Sequence, residues 1–158
     1  MNPAESEGRT QLDVLIEGVF EPARFLDLVR TYVLFEESGA QLSKIVAKYH
    51  QVDAVRRAVE ATAEAMAEDG RAGVVWHTQG SGKSLTMLFA ARKLKNVGLK
   101  NPTTLIVIDR RDLDDQINET FTACQFKGVE LATGRDHLRE LLAGDQRGVI
   151  ITTVQKFQ

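Results

Sequence analysis

The spacing of apolar residues changes along the chain and divides it into two parts. At residues 22–35 and again at 50–69, apolar side chains recur every three or four positions, which is the period of an amphipathic helix. We expect one helix from Pro22 to Phe35, ended by Gly39, and a second from His50 to Asp69. Residues 1–10 have no such period and predict a flexible terminus.

After Gly73 the pattern changes to short apolar runs that alternate with helical stretches. Such alternation predicts right-handed βαβ units and an α/β fold with an open parallel sheet flanked by helices. The expected strands are 74–76, 105–108, 129–132 and 149–152, and the expected helices are 83–95, one N-capped by Asp112, and 136–142. The four aliphatic residues of 105–108 indicate a strand that is covered on both faces.

Composition limits the classes to which the protein can belong. The chain has 158 residues, a formal net charge of −2 and a single cysteine, which fits one ordinary domain in a reducing, cytoplasmic compartment. No apolar run approaches the ~20 residues of a membrane span, so no membrane contact is expected. Because the charge is nearly balanced, binding to nucleic acid has to come from a local site.

The stretch from Gly80 to Ser84 carries the clearest chemistry. A predicted strand runs into Gly-Ser-Gly-Lys-Ser and then into a helix. Glycines allow several backbone N–H groups to converge on phosphates at the positive end of a helix. In this motif Lys83 reaches the β- and γ-phosphates and the Ser84 hydroxyl coordinates Mg²⁺. His77 stands where the strict motif has glycine, and the alternative interpretation is a glycine turn with a solvated lysine.

Gln51 begins the helix that precedes this loop. Its amide offers a donor and an acceptor together, which suits the N6 and N7 edge of adenine. A glutamine at the start of a helix is also common as a surface or capping residue, and only the phosphate loop downstream favours the adenine interpretation.

Asp109 ends an aliphatic run and admits two interpretations. It resembles a Walker B acid that holds Mg²⁺, but Arg110 follows where a second acid is usual in hydrolytic proteins. Alternatively, Arg110 and Arg111 form a basic loop that contacts polynucleotide phosphates. A solvated loop without function is the third possibility.

A second group of polar residues follows the last predicted strand. Hydroxyl, amide and lysine side chains occur there, at the edge of a parallel sheet where ligands usually bind. Contacts of this kind position a nucleic-acid strand without selecting its sequence. The residues are Thr152, Thr153, Gln155 and Lys156.

Taken together, these segments resemble the motor subunit of type I restriction endonucleases, which are superfamily 2 DNA translocases. The resemblance rests on KYHQ at 48–51, WHTQGSGKSLTM at 76–87, LIVIDRRDLDDQ at 105–116 and ITTVQKF at 151–157. Residues 17–36 are similar to the segment that joins the nuclease domain of that family to its motor. The family also carries histidine at the position of His77.

The resemblance implies a partial RecA-like P-loop NTPase. It divides the chain into a flexible terminus at 1–10, a helical linker at 11–48 after an absent nuclease domain, and the first half of motor domain 1 at 49–158. It implies ATP and Mg²⁺ as cofactors, with Lys83 and Ser84 catalytic and Ser84 on the metal. Nucleotide contacts are then Gln51, Thr78, Gln79, Gly80, Ser81, Gly82, Lys83 and Ser84.

The same resemblance implies double-stranded DNA as a partner, beside the methyltransferase and specificity subunits of a restriction complex. The implied DNA contacts are Arg110, Arg111, Thr152, Thr153, Gln155 and Lys156. By this analogy Asp109 is not the Walker B acid.

Several features of that family are absent from the sequence, which leaves alternatives open. The family's acidic magnesium motif, second RecA-like domain and nuclease carboxylates do not occur, so we expect a truncated piece with exposed sheet edges and negligible ATPase activity on its own. One alternative is a small P-loop kinase or NTPase with Asp109 as the magnesium acid. Another is a degenerate interaction module that binds no nucleotide.

Overall fold

A computed structural model describes residues 10–96, 102–109 and 111–157 of the chain. The chain divides into two compact units, one ending at Val33 and the other beginning at Leu34.

The first unit contains two helices, α1 (Gln11–Val19) and α2 (Pro22–Tyr32). Thr10 caps α1 in a reciprocal capping box with Asp13. The Glu21 carboxylate accepts hydrogen bonds from two backbone N–H groups in the first turn of α2, where proline occupies the first helical position. The Arg24 guanidinium then donates to the Gly18 carbonyl at 2.6 Å and links the two helices.

The predicted helix from Pro22 to Phe35 is too long. Its last residues belong to β1 (Val33–Ser38), which pairs with β2 (Gln41–Val46) as a hairpin. Gly39 begins the two-residue connection with φ +61°, a conformation that glycine adopts without strain. The run contains the β-branched Val33 and the aromatic Phe35, which favour a strand, so pairing across this turn prevails over the helical period. The region 11–48 is therefore not helical throughout.

Three parallel strands form the central sheet of the second unit, in the order β3 (Thr104–Ile108), β5 (Val149–Thr153) and β4 (Val129–Leu131). Thr104 is opposite Val149, and Val129 is opposite the same residue on the other side. All five side chains of β5 are buried, as expected for the middle strand. The predicted α/β class, and the strands at 105–108, 129–132 and 149–152, are confirmed.

Four helices accompany the sheet: α3 (Tyr49–Ala65), α4 (Lys83–Asn96), α5 (Arg111–Ala123) and α6 (Arg135–Ala143). Helix α3 packs against α4, and α5 packs against all three strands. The predicted helices from 50, 83 and 136 are confirmed within a few residues of their ends. Because α5 already begins at Arg111, Asp112 is inside the helix, and its predicted N-cap position is wrong.

One part of the core lies where α5 and α6 cover the sheet, and another lies between α3 and α4, where Val55, Leu88 and Phe89 are fully buried. On the side of α6, Leu138 packs with Ala132 and Ile150, all three buried. On α5, Ile117 and Phe121 are buried, as the helical period predicts. Large apolar side chains in the middle strand therefore hold the second unit together.

The strand predicted at residues 74–76 does not form. Residues 71–78 have no regular secondary structure, and both Val74 and Trp76 are 90% exposed. A strand is stable only when a neighbouring strand satisfies its backbone groups, and no described strand pairs with this segment. An apolar run alone therefore misidentified a buried strand.

Strand β3 is an edge strand of the described sheet. It pairs with β5 on one side, and within the described residues no strand pairs with its other side. Leu105 and Val107 are exposed, so the prediction that both faces of this strand are covered is wrong.

Candidate functional site

The glycine loop between Trp76 and α4 has a defined shape. Gly80 and Gly82 have φ values of +76° and +80°, which other residues rarely adopt. The N–H of Ser81 donates to the Thr78 carbonyl at 3.3 Å and closes a turn. The loop leads directly into Lys83, the first residue of α4, as the sequence predicts.

Gln51 is 3% exposed and connects α3 to this loop. Its Nε2 donates to the Gly82 carbonyl at 3.1 Å, and its Oε1 accepts the Lys48 N–H at 2.9 Å. The approach is close, because a Cβ on Gly82 would lie 2.8 Å from that Nε2. Both ends of the amide therefore already have partners within the protein, although each keeps capacity for a second hydrogen bond.

His50, the neighbour of Gln51, makes a parallel contact that the sequence analysis did not identify. Its Nε2 lies 3.2 Å from the Ser81 carbonyl, and its ring meets the His77 ring edge to face at 5.2 Å. The position of His50 next to Gln51 could have indicated this contact. Neighbouring residues on one helical turn can reach neighbouring residues of the loop, here Ser81 and Gly82.

Lys83 turns back toward the start of its own loop. Its Nζ donates to the carbonyls of His77 and Thr78, at 3.2 and 2.8 Å. The side chain is exposed, so the ammonium group lies at the open side of the loop. The lysine is thus held beside the loop by neutral acceptors that an anionic ligand can replace.

The loop carbonyls are directed at donors of the protein itself. Those of Ser81 and Gly82 face α3, and the Gly82 carbonyl also accepts the N–H and hydroxyl of Thr86 in α4. In a planar trans peptide the C=O and the following N–H point in opposite directions. The N–H groups of Gly82 and Lys83 are therefore directed away from α3, where they can donate to an anion.

Polar atoms of the loop also fit a phosphate ligand. His77 Nδ1 and Ser81 Oγ are buried and have no hydrogen-bond partner in the protein. Unpaired buried polar atoms are costly and usually mark a place for a ligand or water. Ser84 is half-buried in the first turn of α4, next to Lys83, so its hydroxyl lies in the region where the motif places the metal. The residues present therefore fit a nucleotide phosphate with Mg²⁺.

The second group of predicted site residues is arranged differently. Gln155 Nε2 donates to the Asp109 carbonyl at 2.9 Å, and Lys156 Nζ donates to the Ala132 carbonyl. Thr152 and Thr153 are 0% and 2% exposed, so neither side chain lies at the surface.

Two arginines complete this group of predicted residues. Arg110 lies outside the described residues, and only the backbone of Arg111, at the start of α5, is described. The assignment of these six residues to DNA stays a prediction. What the structure does show is that the ends of β3 and β5 are joined by the Gln155 amide.

Other chemistry is limited in the described part of the chain. There, no three His, Cys, Asp or Glu side chains come together as a metal site. Burial, and then the nearby Glu36 carboxylate, raise the pKa of the Cys124 thiol, so the thiolate is disfavoured. No helix in the same ranges has the length and apolar character of a membrane span.

Comparison with known proteins agrees with the site geometry. The family model for SWI2/SNF2 ATPases matches residues 50–158, which include the loop, the helices that hold it and the sheet. The endonuclease subunit of the type I restriction enzyme HindI of Haemophilus influenzae is 45% identical over 155 residues, covering 93% of this chain and 15% of that protein.

More distant relatives carry the same description. The putative type I restriction enzyme MjaIXP endonuclease subunit of Methanocaldococcus jannaschii is 36% identical, across 94% of this chain and 14% of that protein. An endonuclease subunit of Staphylococcus aureus, SauCOLORF180P, is 31% identical over 145 residues. The chain spans about 15% of the length of the first of these relatives. The resemblance found in the sequence is confirmed, and the kinase alternative is not favoured.

Proposed function

The chain belongs to the SWI2/SNF2 ATPase family, and from that premise we propose that its loop binds ATP and Mg²⁺ within a DNA-translocating endonuclease subunit of a type I restriction system. One observation supports the nucleotide site above all. The carbonyls of the loop are bonded to α3, α4 and Lys83, which leaves the N–H groups of Gly82 and Lys83 directed to the opposite side.

Each loop residue has a role that follows from its chemistry. Lys83 exchanges its two carbonyl partners for phosphate oxygens, a charge-assisted bond that is stronger than the bonds it loses. The Ser84 hydroxyl would hold Mg²⁺, which would supply positive charge to the phosphates. Thr78, Gln79, Gly80 and Ser81 surround the phosphates through the backbone.

Gln51 is proposed to contact adenine while it holds the loop. Its second N–H and second oxygen lone pair remain available after the bonds to Gly82 and Lys48. Replacement by alanine tests the two roles separately. If the amide contacts adenine, Gln51→Ala weakens an ATP analogue more than the matching GTP analogue. Equal losses for both nucleotides would leave only the contact with the loop.

The experiment for the nucleotide site is calorimetric titration with a non-hydrolysable ATP analogue and Mg²⁺. Wild type is expected to bind, and Lys83→Ala to lose about 100-fold in affinity, since a bond between opposite charges is removed. Lys95→Ala, at the other end of α4, is the matched control and should bind as wild type does. Lack of binding by folded wild type, or unchanged binding by Lys83→Ala, would contradict the proposal.

Contact with duplex DNA is proposed for the loops after β3 and β5, together with methyltransferase and specificity subunits as partners in the restriction complex. Support comes from the relatives, whose names describe endonuclease subunits of type I restriction enzymes. Removing one phosphate contact lowers the slope of log affinity against log salt by about 0.9. Arg111→Ala should show that change, whereas Arg139→Ala on α6 should not. Equal slopes for both variants would count against this interface.

The chain alone is expected to hydrolyse ATP negligibly. Phosphoryl transfer needs a residue that orients the attacking water and charges that stabilise the transition state, beyond the residues that cradle the phosphates. A steady-state ATPase assay of the chain checks this. Turnover that Lys83→Ala abolishes would show that the chain forms a working site by itself.

A further inference from the structure

His50 is the second residue of α3 and lies between two other aromatic rings. Tyr49 meets it edge to face at 5.5 Å, and His77 meets it on the loop side at 5.2 Å. The His50 Nε2 lies 3.2 Å from the Ser81 carbonyl, a contact between residues that are 31 positions apart. This histidine therefore joins the start of one helix to the phosphate loop that precedes the next.

The chemistry of this contact defines where the proton is. A carbonyl oxygen only accepts hydrogen bonds, so the His50 Nε2 must carry the hydrogen. That holds for the neutral ring in its Nε2–H form and for the charged ring alike. The edge-to-face contacts with Tyr49 and His77 keep the ring in the plane that this bond requires.

The bond orients one particular peptide unit. The Ser81 carbonyl and the Gly82 N–H belong to the same planar peptide, so when His50 holds the carbonyl on the α3 side, the N–H is directed to the opposite side. Gln51 does the same for the next peptide, from Gly82 to Lys83. Gly82, at φ +80°, connects these two peptides and is the residue least able to hold them by itself.

We infer that His50 is a positioning residue for nucleotide phosphates, which acts by holding the Ser81 carbonyl so that the Gly82 N–H is directed toward them. The inference rests on the proposed binding of ATP and deepens it. The family match begins at this residue, and no role for it follows from the phosphate-loop motif itself. His50 packs against the His77 ring, whose Nδ1 is buried and has no hydrogen-bond partner in the protein. This unpaired nitrogen is a second indication that a ligand binds beside the loop.

The test compares variants of His50 with and without an N–H donor. His50→Phe keeps an aromatic ring between Tyr49 and His77 but has no N–H, whereas His50→Gln restores an N–H donor on a chain of similar reach. His137→Phe is the matched control, because that histidine lies in α6 and accepts a hydrogen bond from the Thr133 N–H. Two probes are titrated with each variant: a non-hydrolysable ATP analogue with Mg²⁺, and adenosine, which has no phosphate.

The ratio of the two affinities measures the phosphate contribution. We expect this ratio to fall about tenfold in His50→Phe, the value of one hydrogen bond to a charged ligand, and to be largely restored in His50→Gln. His137→Phe should keep the wild-type ratio. In the absence of nucleotide, the amide resonance of Gly82 should shift in His50→Phe and return toward its original position in His50→Gln.

Other outcomes separate this inference from the function on which it rests. Folded wild type that does not bind the analogue would overturn both. A wild-type ratio in His50→Phe, or an equal loss of analogue and adenosine together with a lower melting temperature, would overturn the positioning role alone. If His50→Phe does not fold, the uncharged pair His50→Gln and His50→Met, whose side chains have similar length, repeats the test. The methionine variant, which lacks the donor, should then have the lower ratio, and equal ratios would again overturn the role.

Discussion

The glycine loop and the parallel sheet are held by different kinds of contact. In the sheet, β5 is paired on both sides, and its five side chains are buried. In the loop, side-chain donors from His50, Gln51 and Lys83 hold the backbone carbonyls, and the preceding residues 74–76 pair with no described strand. The shape of the loop and the stability of the fold therefore depend on different residues, so a mutation can change one without changing the other.

The largest expected effect is on stability, from the centre of the sheet. Ile150→Ala should lower the free energy of unfolding by about 2–5 kcal/mol, because it leaves a cavity among fully buried side chains. Leu105→Ala, on the exposed side of β3, is the matched control and should cost about 1 kcal/mol or less. Urea denaturation measures both. Similar losses for the two variants would mean that β3 and β5 are equally buried in solution.

A smaller effect is expected from Gly82→Ala, and it should appear mainly in binding. The alanine would have to adopt φ +80°, and its Cβ would lie 2.8 Å from Gln51 Nε2. The resulting strain, about 1–3 kcal/mol, must be relieved by moving the loop. Affinity for the ATP analogue should fall tenfold or more. Gly70→Ala has the same φ of +80° but open space around it, so it shares the strain without affecting binding. A Gly82→Ala variant that binds normally would contradict the role of the loop geometry.

Thr152→Val should change stability in the opposite direction. The Thr152 hydroxyl is fully buried without a partner, and valine has the same shape without the polar group. We expect a gain of about 0.5–1 kcal/mol in the free energy of unfolding, with unchanged affinity for the ATP analogue. Thr120→Val is the control, since that hydroxyl is exposed and donates to the Gln116 carbonyl. A clear loss of stability in Thr152→Val would mean that the buried hydroxyl has a partner in solution.

The smallest effect is expected at Trp76, the single tryptophan of the chain. Because its side chain is 90% exposed, Trp76→Ala should change the free energy of unfolding by less than about 0.5 kcal/mol. The emission of the native protein should resemble that of free tryptophan in water and should change little on unfolding. Emission shifted strongly to the blue would show that another strand covers this segment.

The elements that depend on local chemistry could be predicted from the sequence alone. Glycines at 80 and 82, followed by Lys83 and a helical period, are sufficient to predict a glycine loop at the start of α4, because glycine readily adopts the positive φ found at both positions. The same holds for α3 and for β5, whose apolar residues have the length and period of one element each.

Strand pairing and hydrogen bonds between distant segments could be seen only in the folded structure. Residues 74–76 have the composition of a strand yet pair with none of the described strands, because a strand needs a neighbour that its own sequence does not specify. The burial of Thr152 and the bond from His50 to Ser81 likewise depend on residues distant in the sequence. Hydrogen bonds between distant segments are set by how helices and strands pack, and packing is a property of the whole chain rather than of any short stretch of it.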